Sequence, residues 1–202
     1  MHIRRLTTPA LIVVVAALSG CSGGGTSGTA TTPAPPSSTG GLPFAGAPNV
    51  GSPLTKTTAV ESDPCSAITA AQIESLGGKV QSTQTENDPT GNNCVWTYSG
   101  EYGTITAGFT SANKEGLSSL YASSKDGSLT TFKPQPAVDG YPAVVYAQGG
   151  EGAGVCTLAV GVRNDLLYTI NSRLDTANPR ESDSCGLATD VAKFAVEHLK
   201  GA

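Results

Sequence analysis

The C-terminal part of this 202-residue chain predicts an α+β fold, an antiparallel sheet with N-terminal and C-terminal helices packed on it. Three observations predict it. From residue 94 onward apolar residues alternate in short stretches separated by turn signals. Helically spaced segments with capping residues stand at both ends of those stretches. Of the four cysteines beyond Cys21, two stand at predicted helix starts and two in predicted strands. With 38% hydrophobic and only 5% aromatic residues, the core is expected to be modest and built from small side chains.

The elements follow in order. Thr69-Ala70-Ala71-Gln72 reads as a capping box, with Ile68 and Ile73 as its hydrophobic staple and Gly77 as the stop of a short helix. Cys94, Trp96 and Tyr98 alternate with Val95 and Thr97, residues 99–103 turn, and Ile105, Ala107 and Phe109 return, which predicts a hairpin. Leu117, Leu120 and Tyr121 have helical spacing between Ala112 and Ser124, weakened by Gly116 and the serines. Strands are predicted over Ala143 to Ala147, along the face Cys156, Leu158, Val160 and Val162, and from Leu166 to Ile170. The last element is a helix from about Cys185 to Leu199, capped by Asp183 or Ser184, with Leu187, Val191, Phe194, Ala195 and His198 on one face.

Ahead of this domain the texture is different. Met1 to Arg5 is short and cationic and Ala10 to Leu18 is apolar, the two parts of a secretory signal, and the apolar run is about half the ~20 residues a membrane span needs. Leu18-Ser19-Gly20-Cys21 resembles the lipobox of bacterial lipoproteins. That resemblance implies cleavage before Cys21, lipid on its sulfur, and residence at the extracytoplasmic face of the cell membrane, the lipid being the anchor. Every residue from Ser22 to Gly41 is Gly, Ser, Thr, Ala or Pro, a composition that cannot repay its ordering entropy. Leu42, Phe44, Val50 and Leu54 are scattered among prolines. The expected organisation is therefore a signal peptide over 1–20, a lipidated disordered tether over 21–60 and the folded domain over 61–202.

Removing residues 1–20 takes Arg4 and Arg5 and leaves 10 Lys and Arg against 16 Asp and Glu, a formal charge of 10 − 16 = −6. An acidic chain with no basic run is repelled by phosphate backbones, which argues against nucleic acid as a partner. Once Cys21 carries lipid, four cysteines remain for an oxidising compartment, and two disulfides are expected. Three connectivities are possible. Cys65–Cys94 and Cys156–Cys185 are preferred, because each joins a helix start to a nearby strand.

Chemistry is harder to find. A cysteine nucleophile or a zinc site needs partners, and the mature chain has only His198; no cofactor or metal is expected. Glu86/Asp88 and Glu181/Asp183 lie in predicted loops, where solvated charge is the simpler reading. The glycines of residues 149–154 neither follow a strand into a helix nor end in Lys-Ser/Thr, so they read as a flexible turn. Trp96, Tyr98, Tyr102, Tyr141 and Tyr146 are candidate contact residues, with Trp96 better placed for the core and Tyr141 expected to be exposed.

Asp63-Pro64-Cys65 leading into a capped helix, Cys94-x-Trp96 opening a strand, Cys156 inside a late strand and Cys185 beginning the last helix together resemble the actinobacterial lipoproteins grouped as domain of unknown function 3558. The resemblance spans roughly Asp63 to Leu199 and implies an envelope lipoprotein with two disulfides and no established activity. The expected function is a non-enzymatic binding or adaptor module for an envelope protein or a small apolar or glycan ligand. The alternative is an envelope-polymer hydrolase using an Asp/Glu pair.

Overall fold

The computed structural model describes residues 41–201. The signal segment, Cys21 and the tether up to residue 40 lie outside the described residues. Helices α1 (Thr58–Ser62) and α2 (Ala70–Gly77) precede strands β1 (Val80–Asp88), β2 (Gly91–Tyr98) and β3 (Thr104–Thr110). Helix α3 (Leu117–Lys125) is followed by β4 (Thr131–Val138), β5 (Tyr141–Ala147), β6 (Val155–Arg163) and β7 (Leu166–Arg173), and α4 (Ser184–Gly201) closes the chain. The seven strands form one sheet in the order β1-β2-β3-β7-β6-β5-β4, and every neighbouring pair is antiparallel.

Helix α2 starts as its sequence dictates. The Thr69 side chain accepts from the Gln72 backbone N–H at 3.2 Å, and the Gln72 side chain accepts from the Thr69 N–H at 2.9 Å. It ends at Gly77, and Gly78 follows at φ 130°, ψ 177°, a conformation open to glycine, with its N–H donating to the Glu74 carbonyl at 3.4 Å. Helix α4 buries Leu187, Ala188, Val191, Ala192, Ala195, Val196 and Leu199, a stripe with the i, i+3/i+4 spacing of a helix laid on a sheet. His198 is not on that stripe; it is exposed, a correction to its expected place on the apolar face.

The main core lies between the sheet and α1, α2 and α4. Cys94, Trp96, Tyr98, Ile105, Ala107, Phe109, Leu158, Val160, Tyr168 and Ile170 all point into it, alternate residues of β2, β3, β6 and β7. A smaller cluster occupies part of the opposite face, where α3 brings Leu117 against Val144, Ala159 and Leu167. The aromatic residues divide accordingly. Trp96 is core, as its sequence position favoured, and Tyr98 is buried with it.

Three expectations need correction. The domain begins well before residue 61: Val50, Leu54 and Val60 are buried in the main core, so the stretch 42–60 is a packed strap. The Leu54 N–H donates to the Val162 carbonyl at 3.0 Å and the Val50 N–H to Asn164 Oδ1 at 2.9 Å. Sparse apolar residues suffice because Val50 and Leu54 pack into the core without forming a regular element, and Val60 follows from α1. That strap also buries Tyr141, expected at the surface, whose hydroxyl donates to the Ser52 carbonyl at 2.9 Å. Third, Glu86 and Asp88 belong to strand β1, not a loop. β1 carried no alternation signal because it is an edge strand whose residues from Gln81 to Asp88 are all exposed. The other edge, β4, was hidden by Pro134 and Pro136, residues a sheet tolerates at its edge.

Candidate functional site

Both disulfides have the preferred pairing. Cys65, in a single 3-10 turn over Pro64–Ser66, joins Cys94 of β2 with Cα atoms 4.8 Å apart, and Cys156 of β6 joins Cys185 of α4 at 5.2 Å. They are covalent staples of helical segment to sheet, not reactive thiols. Among the described residues no group of three His, Cys, Asp or Glu is arranged to hold a metal ion, and no helix is long and apolar enough to cross a membrane.

Of the carboxylate pairs singled out from sequence, the aspartates Asp88 and Asp183 are engaged in a turn and an ion pair. Asp88 closes the β1–β2 turn: its Oδ1 accepts from the Thr90 hydroxyl and N–H and from the Gly91 N–H, and its Oδ2 accepts from Asn93 Nδ2. The Thr90 hydroxyl, chiefly, holds its carboxyl below the usual range. Asp183 pairs with Arg180, which also reaches Asp190 at 3.2 Å, and Lys193 meets Asp190 at 3.0 Å. Asp88, Asp183 and Asp190 are thus each held in a turn or an ion pair on the surface.

A cavity of about 340 Å³ opens where the sheet itself comes apart. β6 pairs with β7 from Val155↔Arg173 to Arg163↔Leu166, whereas β5 pairs with β6 only over Ala143↔Val160, Val144↔Ala159 and Val145↔Leu158. Past Val145, β5 stays with β4, through Tyr146↔Phe132 and Ala147↔Thr131, and β6 stays with β7. The cavity fills that wedge. Lys133, Tyr146, Gln148, Thr157, Asn171 and Arg173 line it, the Cys156–Cys185 bridge contributes to its wall, and the glycine-rich loop 149–152 forms its rim.

The loop is shaped by Gly149 at φ 108° and Gly150 at φ 77°, conformations that side chains other than glycine's disfavour. Its one charged side chain, Glu151, is held by the Thr130 hydroxyl and by the Thr131 hydroxyl at 2.9 Å. These hydroxyls, Thr130 first, keep its carboxyl below the usual range. Asn171 Nδ2 donates to the Thr157 hydroxyl oxygen at 2.7 Å, which fixes both side chains beside the wedge. Tyr146 is half-buried; burial pushes its hydroxyl up, and a hydrogen bond with Thr169 works the other way. Among the described residues neither Lys133 nor Arg173 is in an ion pair, although both other described arginines are.

Of the sequence candidates only Tyr146 and the two bridge cysteines Cys156 and Cys185 reach this cavity, and the loop 149–154, read as a mere turn, supplies its rim. Lys133, Gln148, Thr157, Asn171 and Arg173 were missed. A signal existed for two of them: Thr157 and Asn171 are the polar alternates of strands whose other residues make the core.

The arrangement is a wedge with hydrogen-bonding and cationic walls and no opposed pair of acids, suited to holding a ligand. No curated protein matches the chain, and no solved structure does. The model of a family described as a protein of unknown function (DUF3558) matches residues 16–198, and with most of its length covered the chain belongs to that family.

Proposed function

We propose that the protein is a non-enzymatic binding module, lipid-anchored through Cys21 at the extracytoplasmic face of the cell membrane, with the wedge between β5 and β6 as its ligand site. The observation that carries the binding reading is the cavity itself: polar and cationic side chains converge there, and no carboxylate pair does. Two disulfides that bond all four cysteines of the domain support an oxidising compartment. The hydrolase alternative needs two carboxylates about 5–10 Å apart across a cleft, and the engagement of Asp88 and Asp183 in a turn and an ion pair speaks against it.

One experiment tests both halves. Wild type and Cys21→Ala are expressed in parallel, fractionated, and the released proteins weighed by native mass spectrometry. The wild type is expected with membranes and carrying a stoichiometric extra mass beyond its lipid, the variant in the soluble fraction. Membrane retention of Cys21→Ala with unchanged lipid mass would sink the anchor, and a bare polypeptide mass in both would sink the bound ligand.

A further inference from the structure

We infer that the wedge recognises a carboxylate-bearing sugar, an inference that rests on the binding-module reading above and names its ligand class. The charge argues first. Lys133 and Arg173 line the same cavity, both exposed and both without a carboxylate partner among the described residues. The other two described arginines are neutralised: Arg163 is paired with Asp165 at 2.9 Å, and Arg180 with Asp183 and Asp190. Glu151, also in the lining, does not supply the missing charge partner, because its carboxylate is turned to the Thr130 and Thr131 hydroxyls. A guanidinium with its planar fork of donors free is suited to a carboxylate, which it can hold through two parallel hydrogen bonds.

The neutral lining argues for the rest of the ligand. Gln148 makes no hydrogen bond through its side chain to the described residues, Asn171 commits one amide hydrogen to Thr157 and keeps its oxygen, and Tyr146 presents an amphipathic ring. Paired donors and acceptors beside an aromatic ring match a hydroxyl-rich ring with apolar C–H faces better than an aliphatic chain. The two cations approach from different sides. Phe132 packs with the α3 cluster, so Lys133, its neighbour on β4, projects to the opposite face of the sheet, while Arg173 shares a face with Asn171 on β7. A ligand in the gap between the separated strands is thus met from both faces. The volume, about 340 Å³, stands near the low end of the roughly 300–1,000 Å³ of small-molecule sites, which suits one or two sugar rings and not a long chain.

The test titrates the purified full chain with D-glucuronate, with its neutral amide, with glucose and with acetate, by calorimetry and by amide chemical shifts. Glucuronate is expected to bind saturably, its amide and glucose at least about tenfold more weakly, and acetate more weakly still. Arg173→Gln and Lys133→Gln are each expected to weaken glucuronate about tenfold, while Lys79→Gln, remote from the wedge, changes nothing. Since both side chains are exposed, the variants are expected to keep the wild-type melting temperature. Equal binding of glucuronate and its amide, displacement by acetate at the same concentration, indifference to both substitutions, or no binding of any probe would each overturn the inference. The underlying reading fails separately. A stoichiometric extra mass on protein from its own cells, with no glucuronate binding, keeps the module and discards the acidic sugar; a bare mass discards both.

Discussion

The two faces of the sheet are built from the same strands and have opposite characters. On one face Trp96, Phe109, Leu158, Tyr168 and Ile170 lie fully or almost fully buried beneath the helices, and both disulfides tie helical segments to that side, at Cys94 and Cys156. On the other face α3 covers Val144, Ala159 and Leu167, with Phe132 and Tyr146 packed beside them, and much of the remainder presents half-buried Thr104, Thr106, Thr110, Thr157, Thr169 and Asn171. Thr110 and Thr169 share a hydrogen bond at 2.8 Å, and Asn171 and Thr157 another at 2.7 Å, so the polar face satisfies much of itself by cross-strand pairing. The difference teaches a division of labour. Stability is concentrated on one side of each strand, which leaves the alternate residues free for a site.

The strongest way to break this comparison is to cut the staples, since both belong to the covered face. Each closes a loop of 29 residues in sequence separation, for which the chain-entropy model gives about 3.6 kcal/mol. Two such losses are comparable with the 5–15 kcal/mol that holds a typical domain together. Reduction by dithiothreitol is expected to lower the urea midpoint steeply or unfold the chain outright. An unchanged midpoint after complete reduction would mean that the helices hold to the sheet without them.

A paired substitution sharpens the contrast. Leu158 is fully buried on the covered face, and Leu158→Ala is expected to cost about 2–5 kcal/mol through lost transfer energy and the cavity left behind. Thr106, on β3 between Val95 and Asn171, faces the other way, and Thr106→Val, which keeps the β-branched shape, is expected to change stability by less than about 0.5 kcal/mol. Urea melts of the two variants decide it. Equal losses would show that the threonine face is packed too, and the two faces would no longer differ in kind.

What the sequence made legible follows the same division. The covered face was readable in advance, because Cys94-Trp96-Tyr98, Ile105-Ala107-Phe109 and Cys156-Leu158-Val160-Val162 write their burial as alternation. The capping box at Thr69 and Gln72 was equally plain, since its hydrogen bonds are local. β1 and β4 were invisible for a physical reason: edge strands need not bury an alternate face, so β1 after Val80 consists of Gln, Ser, Thr, Asn and acids, and β4 carries prolines. The strap over 42–60 was mistaken for tether because it is held by segments about a hundred residues away, through hydrogen bonds such as Val50 N–H to Asn164 and Leu54 N–H to the Val162 carbonyl. The wedge was hidden for a related reason. It depends on where β5 and β6 stop pairing, a register property that no local pattern records.

The finest comparison is within the covered face, between two buried tyrosines. Tyr98 donates its hydroxyl to the Ile73 carbonyl at 3.2 Å, tying β2 to α2, and burial pushes its pKa up to about 12 against the pull of Arg180. Tyr168 is fully buried with its hydroxyl unpartnered among the described residues, and burial raises its pKa as well. Its ring stands edge-on to Phe109, with centroids 5.1 Å apart and planes at 84°. Removing each hydroxyl should therefore act with different sign. Tyr98→Phe loses a buried hydrogen bond between β2 and α2, so a loss of about 1 kcal/mol is expected. Tyr168→Phe keeps the ring contact and removes a polar atom that cost energy to bury, so stability is expected to stay level or rise by up to about 1 kcal/mol. Thermal melts of the two variants side by side provide the check. A loss of 1 kcal/mol or more at both positions would show that the Tyr168 hydroxyl has a partner in solution, and that this face is polar at its centre as well as stapled at its ends.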